Sequence, residues 1–198
     1  MSLLISLIIF FSAVIIHEYC HGWVAYKLGD PTAKYAGRLT LNPLEHIDPF
    51  GTILLPIMLI VLRSPVIFGW AKPVPVNFWN LRNPRRGMVW VGLAGPMANF
   101  LLAVFFSQFL RLSPPPIIRD LLSGAIMINL VFAVFNLIPI PPLDGSRVIS
   151  GLLPYRYAMI YNEWERYGVM VIFLLLFLGI FNTVILPIAV SLAHWLGV

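Results

Sequence analysis

Charged residues are scarce in this sequence, and cysteine is almost absent. Asp, Glu, Lys and Arg make up 11% of the 198 residues, whereas hydrophobic residues make up 60% and the mean hydropathy is +0.89. So few charges cannot supply the polar surface of a soluble domain, which excludes that class of protein. The composition predicts an all-α polytopic membrane protein whose residues 1–198 form one membrane-embedded domain.

Other absences narrow the class further. The single cysteine, Cys20, excludes a disulfide within the chain. Residues 1–16 lack a basic start and a small-residue cleavage site, so we expect a retained span and not a cleaved signal peptide. The net charge of +5 comes from basic residues spread over loops between apolar segments. Membrane topology explains that pattern better than nucleic-acid binding, so the predicted partner is a lipid bilayer and no nucleic acid is expected.

Apolar segments and the breaks between them predict about five transmembrane helices plus a re-entrant segment. The clear spans are predicted at about residues 3–27, 88–110 and 121–138. Residues 51–62 are too short to cross, so a re-entrant segment is predicted over 51–70. We expect a core over residues 1–150 and a C-terminal span or hairpin over 167–197.

The basic residues also predict the orientation. If the first span ends in the cytoplasm and residues 51–70 re-enter, most of the 13 Lys and Arg residues lie inside. The cytoplasmic ones would be Lys27, Lys34, Arg38, Lys72, Arg82, Arg85, Arg86, Arg147, Arg156 and Arg166. A crossing at 51–70 would put two basic loops on opposite faces, which the positive-inside rule disfavours.

His17, Glu18 and His21 form the sequence HEYCH, an instance of HExxH, at the end of an uncharged run. On a helix, residues four apart lie ~40° apart around the axis and ~6 Å apart along it, so both imidazoles can bind one metal ion. Glu18 lies beside them and can hold a proton for a water on that ion, as in zinc hydrolases. Ionisable groups in an apolar span are costly, which favours function over coincidence or core histidines. Cys20 points away from the two histidines, so we expect it to pack and not to bind metal.

A second polar motif ends a later span, where residues 136–145 read NLIPIPPLDG. Its three prolines cannot stay helical, and broken backbone at membrane depth requires protein or a wet cavity around it. Asp144 on this unwound end is the candidate third ligand, since catalytic zinc takes three protein ligands and a water. A capping role for Asp144 and a third ligand from elsewhere remain as alternatives. The other sources are Glu163, Glu165, His46 and Asp48, although His46 and Asp48 also fit a solvated turn.

HEYCH and NLIPIPPLDG, with AGPMAN (residues 94–99) between them, resemble the site-2 protease family of intramembrane zinc metalloproteases over about residues 1–150. The resemblance implies one Zn2+ per chain, bound by His17, His21 and Asp144, with Glu18 activating water. It implies a transmembrane segment of another protein as the substrate and cleavage within the membrane. We expect a short form of the family, without a PDZ or nucleotide-sensing domain, in a prokaryotic plasma membrane with its active site near the cytoplasmic face.

The resemblance also implies roles for other residues. Asn99 and Asn136 would lie beside the metal and help to hold the substrate or the oxyanion. Gly69–Val76 resembles the family's membrane-embedded edge strand, which would take the substrate as an added strand. Every second residue of this predicted strand, Trp70, Lys72, Val74 and Val76, is a candidate for contact with the substrate. The asparagines also fit a purely structural role as interhelical hydrogen-bonding groups. The alternative function is a non-catalytic metal-binding membrane scaffold that retains the HExxH motif.

Overall fold

A computed structural model of the protein describes residues 3–63, 69 and 71–198. These residues form helices joined by turns, with no strand among them, which confirms the predicted all-α class. The α-helices are α1 Leu3–Lys27, α2 Thr32–Tyr35, α3 Leu55–Val61, α4 Pro84–Leu110, α5 Pro116–Asn136, α6 Asp144–Leu152, α7 Tyr155–Glu163, α8 Glu165–Phe177 and α9 Leu186–Leu196. Shorter 3-10 helices lie at Pro43–His46 and Phe78–Asn80, and π-helical segments at Pro49–Leu54 and Phe181–Ile185.

Three helices, α1, α4 and α5, are long and apolar enough to cross a membrane. A fourth span is possible where α8 and the helical stretch 181–196 follow each other, but the two are bent by 71°. The break lies at Gly179, whose φ of +83° is the left-handed conformation that commonly ends a helix. The polytopic membrane class is therefore confirmed, whereas a count of five spans is not.

The segment predicted to re-enter the membrane is helical but short. The π-helical stretch Pro49–Leu54 has six residues and α3 has seven, 13 together. At 1.5 Å per residue they extend about 20 Å, which is less than the ~30 Å hydrocarbon layer. This length agrees with re-entry, and re-entry over 51–70 stays a prediction because residues 64–68 and 70 lie outside the described residues.

The expected edge strand over Gly69–Val76 is not formed by its described residues, and this part of the prediction is corrected. Residues 71–77 lack regular secondary structure. The physical reason lies in their partners: the Lys72 N–H donates to the His46 carbonyl and the Val74 N–H donates to the Glu18 carboxylate. A strand needs a ladder of backbone partners on a neighbouring strand, and a loop carbonyl and a helix side chain do not provide one. Trp70 lies outside the described residues.

Helix α4 packs against α1, α5 and α6 and so lies at the centre of the bundle. Its contact with α6 depends on glycine. A Cβ added at Gly92 would lie 3.0 Å from the Asp144 carbonyl oxygen, and one added at Gly151 would lie 2.6 Å from the Arg85 carbonyl oxygen. Because small residues let helix backbones approach closely, α6 lies directly on α4. This contact places Asp144, the first residue of α6, beside the first half of α4.

Candidate metal centre

Two histidines of α1 and the first residue of α6 meet at one point. The Nε2 atoms of His17 and His21 are 3.0 Å apart. The Asp144 Oδ2 atom lies 2.9 Å from the first and 3.1 Å from the second. Both histidines are buried, at 2% and 7% exposure. Within the part of the chain that the structure describes, this is the one cluster of His, Cys, Asp and Glu side chains close enough to share a metal ion.

The outer nitrogen of each imidazole contacts a fixed acceptor. His21 Nδ1 lies 2.7 Å from the Val91 carbonyl oxygen, and His17 Nδ1 lies 2.6 Å from Asn99 Oδ1. A carbonyl oxygen can only accept, so each Nδ1 carries a proton, and Nε2 is the nitrogen left to bind a metal ion. Hydrogen bonds of this kind fix the tautomer and orientation of metal-binding histidines. The Nε2 atoms of both rings therefore face the Asp144 carboxylate.

The donor set and its spacing suit a zinc ion. Imidazole nitrogen and carboxylate oxygen are both zinc ligands, and the ligands of a tetrahedral site with bonds of about 2.0–2.1 Å lie roughly 3.3–3.4 Å apart. The atoms of His17, His21 and Asp144 are 2.9–3.1 Å apart, close to that spacing. The facing position on α4 is Gly95, where an added Cβ would lie 2.5 Å from His17 Nε2. The glycine thus keeps open the space toward which the ligand atoms point.

The proline-rich turn that carries Asp144 is held from several sides. Helix α5 ends at Asn136, as the prolines predicted, and α6 begins eight residues later at Asp144. The Tyr161 hydroxyl donates to the Pro139 carbonyl oxygen at 2.7 Å. A side chain at Gly168 of α8 would collide with the Pro141 carbonyl, so α8 packs directly on the turn. These contacts fix the unwound segment on which the position of the carboxylate depends.

Glu18 is held by a backbone group from outside the helix. Its Oε2 atom accepts a hydrogen bond of 2.8 Å from the Val74 N–H. The Val74 side chain packs on α1 at Gly22, where an added Cβ would lie 2.9 Å from Val74 Cγ1. Glu18 and Gly22 are four residues apart and share a helix face. Residues 71–77, which we call the docked segment, therefore lie along this face of α1.

Hydrogen bonds of the Lys72 backbone hold the docked segment at a second point. The Lys72 N–H donates to the His46 carbonyl oxygen at 2.9 Å, and Arg38 Nη2 donates to the Lys72 carbonyl oxygen at 2.6 Å. His46 is itself buried at 3% exposure, and its Nε2 lies 2.9 Å from the Thr40 carbonyl oxygen. His46 thus contributes to the loop that supports the segment beside Glu18.

The alternative third ligands lie elsewhere. The Asp48 carboxylate accepts from the Phe50 and Gly51 N–H groups, and Glu165 pairs with Arg147 at 2.6 Å. Of the five candidates considered, the structure brings Asp144 alone to the two histidines. The five were Asp144, Glu163, Glu165, His46 and Asp48.

The two predicted asparagines occupy different places. Asn99 has no exposed surface, and its amide contacts the His17 ring, the Ala13 carbonyl and the Asn129 side chain. Asn99 therefore lies at the Nδ1 side of the His17 ring, whereas the Nε2 side faces Asp144. Asn136 is 8% exposed and its Nδ2 donates to the Phe132 carbonyl, one turn earlier in α5.

Three groups near the site were not anticipated: the Val91 carbonyl, the Val74 N–H and Asn129. Backbone groups carry no sequence signal. Asn129 does carry one, because a polar side chain in the middle of an apolar span is unusual. It also precedes Asn136 by seven residues, two helical turns, which places both on one face of α5.

Comparison with known proteins shows the family to which the chain is similar. The sequence model of Peptidase family M50 matches residues 113–179, which include Asp144. A Bacillus subtilis protein named "Putative zinc metalloprotease YwhC" is 42% identical over 186 residues, covering 88% of this chain and 79% of the relative. The Mycobacterium tuberculosis protein named "Putative zinc metalloprotease Rip2" is 35% identical over 138 residues, 68% of this chain and 52% of the relative. "Zinc metalloprotease MJ0392" of Methanocaldococcus jannaschii is 25% identical over 197 residues, 96% of this chain and 47% of the relative.

The extent of these matches differs. The chain spans about half the length of Rip2 and MJ0392, but more than three quarters of YwhC. No solved structure matches the chain. The identity to YwhC over most of both chains, together with the family match, shows that this protein belongs to Peptidase family M50, the site-2 protease family of metalloproteases, as its HEYCH and NLIPIPPLDG motifs predicted.

Proposed function

We propose that this protein is a zinc-dependent intramembrane endopeptidase that hydrolyses peptide bonds in transmembrane segments of other membrane proteins. The observation that carries the proposal is the meeting of His17, His21 and Asp144 within 3.1 Å, next to Glu18, in a bundle of apolar helices. The names of its M50 relatives support zinc as the metal. The single ligand cluster among the described residues supports a stoichiometry of one Zn2+ per chain.

The residues divide the chemistry between them. His17, His21 and Asp144 would hold Zn2+, which when bound supplies a Lewis acid that polarises a carbonyl and makes water a better nucleophile near neutral pH. Glu18 takes a proton from the attacking water and delivers it to the leaving amine as the C–N bond breaks. The Val74 N–H orients the Glu18 carboxylate for both transfers.

The asparagines and the docked segment take supporting roles in this proposal. Asn99, with its amide engaged at His17, orients a ligand and does not contact substrate. Asn136 remains the candidate for contact with the substrate or the oxyanion. Lys72, Val74 and Val76 lie on the segment beside Glu18, so a peptide bound at the metal would pass along them. The same role was expected of Trp70.

The positions of these residues along their helices support a site near one face of the membrane. His21 is six residues, about 9 Å, from the end of α1. Asp144 follows the end of α5, and Val91 lies seven residues into α4. The connections at this end, residues 28–83 and 137–164, contain seven of the 13 basic residues, and Lys27, Arg85, Arg86 and Arg166 lie at the helix ends next to them. By the positive-inside rule, this distribution supports the cytoplasmic face of a prokaryotic plasma membrane.

The proposal is tested by cleavage of transmembrane peptides in detergent, with zinc content measured on the same samples. Glu18→Gln should lower cleavage by about 10²–10⁴-fold, since it removes the proton acceptor, and should retain one zinc per chain. Asp144→Asn should lose zinc and activity together. Glu163→Gln, an exposed change on α7, should resemble the wild type and serves as the matched control.

Two results would contradict the proposal. Full activity of Glu18→Gln would remove the general base from the mechanism. A wild-type protein that binds zinc but cleaves no peptide in a broad transmembrane panel would favour the metal-binding scaffold instead.

A further inference from the structure

A chain of buried hydrogen bonds runs away from the candidate metal centre through the bundle. His17 Nδ1 contacts Asn99 Oδ1 at 2.6 Å, and Asn99 Nδ2 donates to Asn129 Oδ1 at 2.9 Å. The chain ends where Asn129 Nδ2 donates to the Ala125 carbonyl oxygen at 2.9 Å. It joins α1, α4 and α5, which are each long and apolar enough to cross a membrane.

Every member of this chain is buried. Exposure is 2% for His17, 0% for Asn99 and 2% for Asn129. Amides in an apolar bundle are costly unless their hydrogen-bonding groups are paired. Hydrogen bonding between the helices would satisfy these amides wherever they lay in the bundle. It would not require that the series of hydrogen bonds include the outer nitrogen of a ligand histidine.

Asn129 determines which atom of the Asn99 amide faces His17. The bond from its Nδ2 to Ala125, one turn earlier on its own helix, leaves the Asn129 oxygen facing Asn99. The Asn99 Nδ2 group then has two acceptors, Asn129 Oδ1 and the Ala13 carbonyl oxygen at 3.1 Å. With both N–H groups of Asn99 committed to these acceptors, its oxygen is the atom that faces His17.

We propose that Asn129 is a positioning residue for the metal centre, which acts through Asn99 to keep His17 in the tautomer whose Nε2 can bind a cation. If the Asn99 amide turned over, its NH2 group would face His17 Nδ1. That nitrogen would then accept a hydrogen bond, and the imidazole proton would move to Nε2, where it blocks the lone pair. The inference depends on the proposed metal site and not on the reaction.

The test is zinc affinity, measured by competition with a chelator on purified protein in detergent. Asn129→Leu keeps the size of the side chain but removes the acceptor, and should weaken zinc binding by about 10- to 100-fold, the usual effect of losing a group that supports a metal ligand. Ser107→Ala is the matched control, because Ser107 is equally buried in α4 but bonds within its own helix, to the Val104 carbonyl. It should leave zinc affinity within about twofold of the wild type, well below that range.

Testing Asn129→Leu a second time, in the Asn99→Asp variant, distinguishes a positioning role from a general loss of packing. Asn99→Asp presents an acceptor to His17 whichever way the carboxylate turns. Asn129 is then no longer needed to keep the imidazole proton on Nδ1 of His17. In that background, Asn129→Leu should change zinc affinity by less than about threefold, far below the loss of a supporting group. If Asn129→Leu does not give folded protein, Asn129→Ala carries the same comparison.

Three outcomes would overturn the inference. One is unchanged zinc affinity in Asn129→Leu. Another is an equal loss in the wild-type and Asn99→Asp backgrounds, which would show damage unrelated to the amide of Asn99. The third is an equal loss in Ser107→Ala. Because zinc binding is measured without turnover, a protein that cleaves nothing would refute the proposed function and leave this inference standing.

Discussion

The metal side and the general-base side of the candidate site are held in different ways. On the metal side, side chains from α1 and α6 meet, and they are supported by Asn99 and the Val91 carbonyl of α4. On the other side, Glu18 contacts a backbone N–H of the docked segment, residues 71–77, which has no regular secondary structure. One half of the site is therefore built by packed helices and the other by a loop.

Because the two halves are held by different contacts, a substitution in one half should impair that half and leave the other unchanged. The ligand atoms lie where membrane helices pack, so their spacing follows from the fold of the bundle. The position of the docked segment depends on a few contacts, chiefly those of Val74 with Gly22 and of Lys72 with Arg38 and His46. Changes on the metal side should therefore alter zinc affinity. Changes on the loop side should alter kcat while zinc affinity stays the same.

The largest effect is expected from Gly95→Ala on the metal side. The new methyl group would lie 2.5 Å from His17 Nε2, in the space between the ligand atoms and α4. Because it competes directly with the cation, zinc affinity should fall by at least about 100-fold, the upper end of what a lost supporting group costs, and cleavage should fall with it. Zinc content after dialysis against a chelator measures the effect.

The control for this change lies on the same turn of α4. Met97 is 46% exposed, so Met97→Ala alters the helix surface without approaching the histidines. It should bind zinc as the wild type does. Normal zinc affinity in Gly95→Ala would mean that the ion, if bound, lies away from the point where the three side chains meet.

A smaller effect is expected from Gly22→Ala on the loop side. The added Cβ would lie 2.9 Å from Val74 Cγ1 and would push the docked segment away from α1. Glu18 would lose its orienting N–H, so kcat should fall by roughly tenfold, since misplacement by about 1 Å can cost up to 10²-fold. Zinc affinity should not change. Steady-state kinetics on a transmembrane peptide, with parallel zinc titration, checks both statements.

A compensating change sharpens this prediction. Val74→Ala removes the methyl group that Gly22→Ala would strike, so the double variant should recover part of the lost kcat. Additive losses in the double variant would show that the two residues do not act through their contact. A fall in zinc affinity in Gly22→Ala would break the separation of the two halves.

The features that local chemistry determines could be predicted from the sequence. Helical periodicity alone places His17 and His21 side by side, and the prolines after Asn136 alone end α5 before Asp144. The expectation that Asp144 reaches the histidines rested on its place at an unwound helix end, on the three ligands that zinc requires and on the family resemblance. The close approach itself depends on Gly92 and Gly151, whose role appears only once α4 and α6 are packed.

Features that depend on tertiary contacts could not be predicted. The family resemblance implied an edge strand over Gly69–Val76, but no neighbouring strand is present among the described residues, and the Lys72 and Val74 N–H groups donate to other acceptors. For Asn99, the sequence left open a role at the substrate or oxyanion and a structural role between helices, because it does not show that the Asn99 amide contacts His17 and Asn129. Hydropathy also cannot show that the apolar stretch at 168–196 bends at Gly179.

The smallest effect is expected from Asp30, which anchors the end of the docked segment. This carboxylate has no exposed surface and accepts hydrogen bonds from the Asn77 N–H at 2.7 Å, the Asn80 side chain at 3.0 Å and the Thr32 N–H at 3.1 Å. Burial raises the pKa of Asp30, but these hydrogen bonds, with one from the Thr32 hydroxyl, outweigh it and lower the pKa below 3.8. The ionised form therefore stabilises the fold.

The sign of the pH effect follows from that lowered pKa. Asp30 contributes stability above its unfolded pKa of about 3.9, and the contribution is lost as pH falls through the lower folded value. Asp30→Asn should lower the thermal midpoint at pH 7 by a few degrees, at about 2–4 °C per kcal/mol, and the difference from wild type should shrink below about pH 4. Asp120→Asn, an exposed change on α5, should leave the midpoint unchanged at every pH. A deficit in Asp30→Asn that stays constant down to pH 3 would show that the side chain acts by packing and not by charge. Because Asp30 touches only the loop side, its loss should leave zinc affinity intact, which again separates the half built by a loop from the half built by helices.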